Sequence, residues 1–392
     1  MPKSQDLGKF KTWVEIDKKA LINNIKIVRR IIGDNSSDRQ ASKKIIAVVK
    51  SNAYGHGLVE CSKIFLKNGA NWLGVDSIDE AVALKKRGIK APILILGFTT
   101  GNNLIDIVKN DLRQVVYDLA TVKKLGELAG RFKKIIRVHL KIETGTNRQG
   151  VLPEEIPGFI SLFSDYPFLK LEGVLTHFAN IEDTDNHSFA NEQFRKFNEA
   201  IDLFNVLKIR PSFFHTASSA AVLFFPETYF NLVRPGIILY GLWTSERNRL
   251  FAEKRGINID LKSALTWKTR VAQIKKVPKG SFIGYGLTEK VERDSKIAVL
   301  PVGYWDGYDR KLSSVGEVLL KGKRAKVLGR ICMNMIMIDV TDIPTVKAED
   351  EIVLLGKQGQ EEIKAEELAG KIGTINYEVV TRINPLIPRI YI

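Results

Sequence analysis

The sequence predicts an α/β protein in which a (β/α)8 TIM-type barrel is followed by a predominantly β carboxyl-terminal domain. Two observations lead to this prediction. Over the first 240 residues, eight short β-rich runs alternate with segments of helical pattern. After residue 245, the pattern changes to short, turn-bounded runs rich in Val, Ile and Leu. Eight strands separated by crossovers favour a barrel, although a doubly wound open sheet produces a similar alternation.

The elements of the barrel follow one another in a regular order. Its strands are predicted at residues 44–50, 71–75, 92–97, 112–118, 135–143, 169–178, 211–217 and 231–240. Most gaps can hold a helix. In the clearest case, Ser77-Ile-Asp-Glu80 has the pattern of a capping box and Gly88 ends the apolar face. Residues 187–206 form a long amphipathic pattern, whereas the connection between the seventh and eighth strands leaves room for little more than one helical turn.

The second domain is predicted to be built from shorter strands. They lie at residues 262–278, 296–302, 315–321, 324–329, 331–340 and 351–355. We place the boundary in the charged stretch 244–261. This gives a barrel of residues 12–245 and a β-rich domain of residues 246–392, with residues 1–11 as candidates for association with the second domain.

Composition narrows the class of protein. The chain has 392 residues, of which 44% are hydrophobic and 27% are charged, as is usual for a soluble globular protein. The net charge is +16, but basic residues stand beside acidic ones, as in Asp79-Glu80 followed by Lys85-Lys86-Arg87. Since there is no basic tail or nucleic-acid motif, we interpret the charge as a solvated surface and expect no nucleic-acid partner.

Targeting and metal signals are missing from the sequence. The amino terminus lacks the apolar stretch of a signal peptide, and no apolar run approaches the roughly 20 residues that span a membrane. Cys61 and Cys332 give no disulfide or metal pattern, and the five histidines have no metal-ligand spacing. No phosphate-binding Walker loop or dinucleotide fingerprint occurs. We therefore expect a cytoplasmic protein with no metal site and no membrane partner.

Lys50 is the most informative candidate residue. It closes the apolar run 44–49 and opens Lys-Ser-Asn-Ala-Tyr-Gly-His-Gly. A lysine at the end of a buried strand is costly unless its amine reaches water or has a function. Desolvation lowers the pKa of a lysine, and the neutral amine forms a Schiff base with an aldehyde. Gly55 and Gly57 would let the backbone turn sharply beside that amine.

Polar residues recur along the fifth predicted strand, Arg137-Val-His139-Leu-Lys141-Ile-Glu143. Period-2 alternation puts its four polar residues on one face. In a barrel this face points inward, where an unpaired charge is costly. The pattern is compatible with an internal ladder of ion pairs and also with a functional site.

The segment after the seventh predicted strand has two interpretations. His215-Thr-Ala-Ser-Ser219 places small hydroxyl residues before a helix, where they act as N-caps or bind an anion. Phosphate sites after strands 7 and 8 recur in such barrels. Lys50, Lys141, His177, Ser218 and Ser219 all follow or end predicted strands, and the carboxyl edge of a barrel is where its chemistry occurs.

Several motifs together resemble the alanine racemase family. They are Ala-Val-Val-Lys-Ser-Asn-Ala-Tyr-Gly-His-Gly at 47–57, Arg-Pro-Gly-Ile at 234–237, Gly-Tyr-Gly at 284–286 and Gly-Arg-Ile-Cys-Met at 329–333. They occur in the family's order, and the resemblance runs from about residue 12 to the end. It implies a pyridoxal 5'-phosphate enzyme, active as a homodimer with shared sites, that interconverts L- and D-alanine for peptidoglycan synthesis.

The resemblance implies a two-base mechanism. Lys50 would carry the cofactor and serve one face of the substrate, while Tyr285 from the partner subunit would serve the other. Arg234 would hydrogen-bond the pyridine nitrogen. Because arginine stays protonated, it would leave that nitrogen without a proton, which limits transamination. His177 would lie between Arg234 and Tyr285. Through it, the positive charge of Arg234 would lower the pKa of the Tyr285 phenol.

Binding roles follow from the same resemblance. The hydroxyls of Tyr54 and Ser219 and the backbone N–H groups of Gly236 and Ile237 would hold the cofactor's phosphate. Tyr377 is also assigned to the cofactor site, where it would narrow the entry together with Tyr304.

Three further residues are implied around the substrate. Lys141 is a candidate for carbamylation, and the resulting anion would orient Arg148. Arg148 would approach the cofactor's phenolic oxygen and the substrate carboxylate. The Met333 backbone N–H would also face that carboxylate.

The chain departs from the family pattern near the expected site. Asn147 stands where glycine is usual in Glu-Thr-Gly-Thr-Asn-Arg, although asparagine accepts a positive φ. Asn334 stands where aspartate usually follows Cys-Met, which removes one negative charge. Ser218 stands where asparagine is common.

Other functions are kept as alternatives. A broader amino-acid racemase acting on serine or basic side chains would differ in the pocket around Tyr377. A non-catalytic pyridoxal-phosphate-binding protein shares the barrel but lacks the β domain and the second base, so residues 262–392 argue against it. A decarboxylase of related barrel architecture is disfavoured by Arg234, because such enzymes typically place an acid at the pyridine nitrogen.

Overall fold

A computed structural model describes residues 8–33, 43–183 and 185–392. The chain divides into two compact units. The barrel unit comprises Ala20–Ala53 and Leu58–Lys262. The β unit comprises the described residues up to Lys19, the short segment Tyr54–Gly57, and Ser263–Ile392.

The described residues form eighteen strands. In chain order they are β1 Thr12–Ile16, β2 Lys44–Val48, β3 Trp72–Val75, β4 Ile93–Ile95, β5 Arg113–Val116, β6 Ile136–Lys141, β7 Leu169–Leu175, β8 Phe213–His215, β9 Leu232–Val233, β10 Leu265–Arg270, β11 Gln273–Val277, β12 Ser295–Leu300, β13 Glu317–Leu320, β14 Lys323–Leu328, β15 Ile336–Asp339, β16 Glu351–Gln358, β17 Glu361–Ile363 and β18 Arg389–Tyr391.

Helices separate most of the barrel strands. Those before residue 263 are Lys18–Ile31, Leu58–Lys67, Ile78–Lys86, Leu104–Lys109, Leu119–Phe132, Ile156–Asp165, Ser188–Val206, Ser219–Phe224 and Glu246–Lys254. Two more, Ala365–Ile372 and Asn376–Thr381, lie in the β unit. No helix in the described part of the chain is long and apolar enough to cross a membrane.

Eight parallel strands form the sheet of the barrel unit, in the order β8-β7-β6-β5-β4-β3-β2-β9. Asn231 links the two ends of this order: its Oδ1 accepts from the Phe214 N–H at 3.0 Å, and its Nδ2 donates to the Ser212 carbonyl at 2.8 Å. The Arg234 N–H donates to the Ala217 carbonyl at 2.9 Å. The predicted barrel is confirmed, and each of the eight predicted strands contains an observed one.

The eighth barrel strand, β9, is much shorter than predicted. Only Leu232–Val233 pairs in the sheet, and Ile237–Tyr240 forms a 3-10 turn instead of continuing the strand. The Pro235 carbonyl still accepts from the Val48 N–H of β2 at 3.0 Å, so the chain leaves the sheet after Pro235. An apolar run such as Ile-Ile-Leu-Tyr does not distinguish a strand from a buried turn.

The helix Ile78–Lys86 begins as predicted but only half of the capping box forms. The Ser77 side chain accepts from the Glu80 N–H at 3.3 Å. The Glu80 carboxylate instead accepts from the N–H groups of Asp76, at 3.0 Å, and Asn52, at 3.3 Å. Glu80 therefore connects this helix to the segment that follows Lys50.

The β unit is organised around one mixed ten-stranded sheet. Its order is β11-β12-β15-β14-β13-β16-β10-β1-β18, with β17 paired to β16. β1 is antiparallel to β10 and parallel to β18, with Val14 opposite Trp267 and Arg389. Strands β1, β17 and β18 lie outside the predicted strand ranges.

The observed units differ from the predicted domains at both boundaries. Strand β1, predicted within the barrel, belongs to the sheet of the β unit, while the helix Glu246–Lys254, predicted in the second domain, belongs to the barrel unit. The hydrogen-bonding partner of β1 is about 250 residues away in sequence, so local pattern could not assign it. Of the predicted association of residues 1–11, residues 1–7 lie outside the described residues.

Candidate active site

Lys50 begins a left-handed turn directly after strand β2. The next four residues have φ between 52° and 55°; they are Ser51, Asn52, Ala53 and Tyr54. The expectation that Gly55 and Gly57 make the turn was incomplete, because four residues with side chains adopt this conformation first. Each costs about 1–2 kcal/mol, and such strain is concentrated at functional sites.

Specific hydrogen bonds hold this turn. The Ala53 N–H donates to the Val49 carbonyl at 2.8 Å, and Asn52 Oδ1 accepts from the Leu58 N–H at 2.9 Å. Lys50 Nζ lies 3.6 Å from Asp76 Oδ1. Sequence reasoning did not select Asp76, although an acid directly after the buried strand β3 was a signal that it could have used.

Lys141 ends strand β6 and is 5% exposed. Its Nζ donates to Gln149 Oε1 at 3.3 Å, and Gln149 Nε2 donates to the Tyr117 hydroxyl at 3.2 Å. Burial, reinforced by the positive charges of Arg148 and Arg234, lowers the pKa of Lys141 to about 8. The amine is therefore neutral far more often than that of an ordinary lysine. Gln149 and Tyr117 were not predicted.

The loop that carries Arg148 is organised by Glu143. Its carboxylate accepts from the N–H groups of Gly145, at 2.5 Å, and Arg148, at 3.4 Å. Burial raises the pKa of Glu143, but the backbone N–H groups of this loop outweigh it and the net pKa is lowered. Asn147 adopts φ 51°. Asparagine thus adopts the left-handed conformation that it accepts more readily than most residues with side chains.

Arg234 is fixed by four hydrogen bonds in the barrel interior. Nη1 donates to His215 Nδ1 at 2.7 Å and to the His215 carbonyl at 2.6 Å. Nη2 donates to the carbonyls of Thr176, at 2.7 Å, and Thr216, at 3.0 Å. Burial lowers its pKa to about 9. A guanidinium has five N–H groups, and among the described residues the Nε–H of Arg234 has no acceptor.

His215, rather than His177, is the imidazole that contacts Arg234. We expected His177 to couple Arg234 to the second base, but its ring makes no hydrogen bond within the described chain. Burial first, and then the charges of Arg234 and Lys141, lower the pKa of His177 to about 3. His177 is therefore neutral. His215 was not predicted as a partner of Arg234, because a histidine in a strand can equally well be an ordinary core residue.

Ser219 and Gly236 lie together after strands β8 and β9. The Gly236 N–H donates to Ser219 Oγ at 2.8 Å, and both Ser219 and Ile237 are buried. Ser218 occupies the N-cap position of the helix Ser219–Phe224 without a side-chain cap bond. The N-cap interpretation is therefore not supported by a hydrogen bond, and a hydroxyl and a backbone N–H meet at this point.

Tyr285 lies in the β unit and is 72% exposed. It starts the 3-10 turn Tyr285–Leu287 between two glycines with φ 75°. A Cβ on Gly286 would lie 2.5 Å from the Arg330 side chain. The motif Gly-Tyr-Gly therefore satisfies a backbone requirement that presents the tyrosine to solvent.

The other expected residues of the β unit form two groups. The Tyr304 N–H donates to the Cys332 carbonyl at 3.1 Å and the Trp305 N–H to the Met333 carbonyl at 3.0 Å, so these two loops lie side by side. Met333 is 55% exposed. The rings of Tyr54 and Tyr377 lie 6.1 Å apart. No cluster of three or more potential metal ligands occurs among the described residues.

Within the barrel unit, five residues lie near one another, because the charges of Lys50, Arg148 and Arg234 contribute to the lowered pKa values of both Lys141 and His177. All five follow or end parallel strands, at the edge where barrel enzymes carry their chemistry. Fold and site together define a barrel protein of the class that carries its chemistry at the carboxyl edge of the strands, here with a cluster of cationic side chains at that edge.

Comparison with known proteins specifies the family. The sequence profile of "Alanine racemase, N-terminal domain" matches residues 16–243, and that of "Alanine racemase, C-terminal domain" matches residues 264–391. The alanine racemase of Halothermothrix orenii is 42% identical, covering 97% of this chain and 96% of that protein; that of Methanococcus maripaludis is 42% identical, covering 97% and 98%. The chain belongs to the alanine racemase family.

Solved structures agree with this assignment. The alanine racemase of Bacillus anthracis with bound L-Ala-P has a TM-score of 0.90 at 38% identity, covering 97% of this chain and 95% of that chain. A histidine racemase from Leuconostoc mesenteroides subsp. sake has a TM-score of 0.86 at 25% identity, covering 97% and 98%. The same fold therefore occurs in racemases with different named substrates.

Proposed function

We propose that this protein is a pyridoxal 5'-phosphate-dependent alanine racemase that interconverts L- and D-alanine. One observation carries the proposal: the family match spans both units, and it includes Lys50 on its strained turn as well as the exposed Tyr285. D-alanine is a building block of peptidoglycan, and we propose that its supply is the biological role. Neither Cys61 nor Cys332 forms a disulfide in the described part of the chain, and we propose a reducing, cytoplasmic location.

The residues present fit the proposed cofactor. The Nε–H of Arg234 is available to donate to a pyridine nitrogen, and the charge on arginine persists at neutral pH. The Ser219 hydroxyl and the Ile237 N–H provide neutral donors for a phosphate. We assign to the same group the Tyr54 hydroxyl and the Gly236 N–H, which donates to Ser219 Oγ in this structure. Tyr377 and Tyr304 are proposed to line the entry. When bound, the cofactor supplies an aldehyde carbon for Lys50 and a ring that withdraws electrons from the substrate's Cα.

Proton transfer is assigned to residues of the chain itself. Lys50 Nζ takes or delivers the Cα proton on one face, and the Tyr285 hydroxyl does so on the other. Asp76, 3.6 Å from Lys50 Nζ, holds the ammonium form in place between transfers. His177, neutral through burial, is proposed as an uncharged neighbour of this chemistry, not as a relay from Arg234.

Substrate binding is assigned to Arg148 and Met333. Arg148 attracts the substrate carboxylate, and the Met333 N–H donates to it. The lowered pKa of Lys141 supports its carbamylation, because carbon dioxide reacts only with the neutral amine. The carbamate would replace a cation beside Arg148 with an anion and thereby orient that guanidinium.

We propose that the active form is a homodimer in which Tyr285 and Met333 come from the partner of the subunit that supplies Lys50. Large apolar side chains on the β unit are exposed, including Leu287 at 65%, Trp305 at 60% and Met335 at 54%. Exposed apolar residues grouped in neighbouring loops are typical of an interface.

The second candidate function is a racemase with a broader substrate range. The structural match to a histidine racemase favours it, because the same fold accepts a larger side chain in that protein. A non-catalytic cofactor-binding protein is disfavoured by the match of the whole β unit to the alanine racemase profile.

Chiral chromatography of L-alanine incubated with the cofactor-loaded protein tests the proposal. We expect D-alanine to accumulate to an equal mixture, and Lys50→Ala to abolish its formation. Parallel incubations with L-serine, L-lysine and L-histidine measure the substrate range. Turnover of another amino acid without alanine turnover would replace the first proposal with the second, and no turnover of any would refute both.

A further inference from the structure

A chain of buried hydrogen bonds leads from Arg234 across the barrel interior. Arg234 Nη1 donates to His215 Nδ1 at 2.7 Å, and His215 Nε2 lies 2.8 Å from His139 Nδ1. His139 Nε2 lies 3.4 Å from Glu172 Oε2. Arg234, at the carboxyl edge of the barrel, is thus connected through His215 and His139 to Glu172. All three of these partners are buried. None of the roles assigned above uses His139 or Glu172.

The two ends of this chain force one arrangement of protons. An arginine can only donate, so His215 Nδ1 must be an acceptor and the neutral ring carries its hydrogen on Nε2. That hydrogen points to His139 Nδ1, so His139 also carries its hydrogen on Nε2. An ionised carboxylate can only accept, and Glu172 receives that hydrogen. Every bond therefore runs in the same direction, from the cation to the anion.

The surroundings keep both imidazoles neutral and dry. His139 and His215 are completely buried, and burial is the main cause that lowers the pKa of each. Trp72 meets the His139 ring edge-on at 5.6 Å, and Phe213 stacks on it at 6.4 Å. A Cβ on Gly173 would lie 2.4 Å from His139 Nδ1, so a glycine in β7 makes room for this ring.

Glu172 is itself anchored at the far end of the chain. Arg113 Nε donates to its Oε2 at 3.2 Å, and Arg137 Nε lies 3.5 Å from its Oε1. Burial raises the pKa of Glu172, but its hydrogen bond to His139 and the charge of Arg113 outweigh this effect and the net pKa is lowered. The carboxylate is therefore ionised. Of the four polar residues of the fifth predicted strand, Arg137 and His139 contact this carboxylate, whereas Lys141 bonds to Gln149 and Glu143 to backbone N–H groups.

We propose that Glu172 is a positioning residue that acts on Arg234 through His139 and His215. The anchored carboxylate and the single proton arrangement hold the Arg234 guanidinium in one orientation, which leaves its Nε–H for a ligand. The inference rests on the proposed function only in its consequence for catalysis, because the hydrogen-bonded chain itself needs no ligand. The competing explanation is that Glu172 only neutralises Arg113 and Arg137.

The first test uses nitrogen-15 NMR of histidine-labelled, ligand-free protein. The five histidines give few signals, and His139→Phe identifies one of them while keeping a stacked ring. We expect His139 and His215 to carry hydrogen on Nε2 alone. We also expect Glu172→Gln to shift the His215 Nε2–H signal, although Glu172 does not touch His215. The opposite tautomer, or an unchanged His215 signal, overturns the proposal.

The second test is a double-mutant cycle on racemisation. Glu172→Gln should lower kcat/KM by about tenfold, as loss of a partner behind a ligating histidine does in other sites. In the His139→Phe background the same substitution should change kcat/KM by less than about twofold, because the path is already broken. Equal effects in both backgrounds mean that Glu172 acts only through its arginine partners, which overturns the proposal.

A matched control distinguishes the effect of breaking the hydrogen bonds to Glu172 from the effect of removing one negative charge. Glu199 pairs with Arg195 on the solvent-facing side of the helix Ser188–Val206, so Glu199→Gln removes one carboxylate from an exposed ion pair outside the barrel interior. It should leave kcat/KM and the His215 signal unchanged. An inactive wild type would refute the proposed function. The NMR result would still decide whether the hydrogen bonds from Arg234 to Glu172 have the proposed arrangement.

Discussion

Single residues in this barrel owe their chemistry to burial beside like charge. Lys141 and His177 both have lowered pKa values, because each is desolvated and lies near other cations. Burial therefore increases the neutral fraction of the Lys141 amine and keeps the His177 imidazole uncharged. Perturbed pKa values of this kind are concentrated at functional sites.

Replacing Tyr285 by phenylalanine tests the second base. The substitution should reduce kcat for racemisation by about 100-fold or more, since a positioned acid–base group contributes 10²–10⁴-fold. Stability should hardly change, because the side chain is 72% exposed. In deuterium oxide, exchange of the α-proton should persist for one enantiomer only. Tyr166→Phe serves as the control, and wild-type racemisation by Tyr285→Phe would exclude a catalytic phenol.

His177 should make the ligand-free protein sensitive to acid. Its pKa falls from 6.5 to about 3 on folding, so the unfolded chain binds more protons between these values. Stability due to this residue is therefore lost as the pH falls from 6.5 towards 3, by at most about 1.4 kcal/mol per pH unit. Urea unfolding of His177→Gln at pH 4 to 7 should show a smaller slope with pH than the wild type. Identical slopes would contradict the lowered pKa.

The left-handed turn after Lys50 is the element whose shape matters most for the proposed chemistry. It is held from both sides, by the Asn52 bond to Leu58 and by the Glu80 carboxylate. Strain of this kind persists only when the surrounding structure over-determines it. The turn therefore sets the position of Lys50 more firmly than a strand end would.

Substitution of Ser51 measures the strain in this turn. Ser51 is exposed with φ 55°, so Ser51→Gly should raise the free energy of unfolding by about 0.5–1 kcal/mol and Ser51→Val should lower it by about 1–3 kcal/mol. Urea denaturation provides the values. At Ser161, exposed in the helix Ile156–Asp165, the order of valine and glycine should reverse. The same order at both positions would mean that the turn is not strained.

At the scale of the whole molecule, the two proposed bases belong to different units of the chain. Lys50 lies in the barrel unit and Tyr285 in the β unit. If the sites are shared between subunits, each active site takes one base from each chain. Dimerisation would then be a condition of activity and not only of stability.

Mixing two inactive variants tests shared sites. After subunit exchange between Lys50→Ala and Tyr285→Phe proteins, half of the dimers are hybrids, and each hybrid has one intact site. We therefore expect recovery of about a quarter of wild-type activity. If both bases came from one chain, no hybrid would contain an intact site and the mixture would stay inactive. Each variant mixed with itself is the control.

Sequence patterns predicted much of this architecture because they record local rules. Parallel strands buried on both faces appear as apolar runs, as at residues 44–48, and the observed barrel follows them. The motif at 284–286 predicted a tyrosine between turning glycines, and both glycines have positive φ. Membership of the alanine racemase family was also predictable, because its motifs are short and contiguous.

Contacts between distant residues were decided only by the tertiary structure. β1 pairs with β10 and β18, about 250 and 375 residues away. Arg234 bonds to His215 and not to His177, the histidine that we expected to contact it. The chain from Arg234 to Glu172 draws on strands β6, β7 and β8, whose polar residues have ordinary core explanations when each strand is considered separately. The sequence by itself thus determined the elements, the family and the candidate residues. Which buried groups face one another, and hence which protons and charges they share, depended on how the strands lie side by side in the barrel.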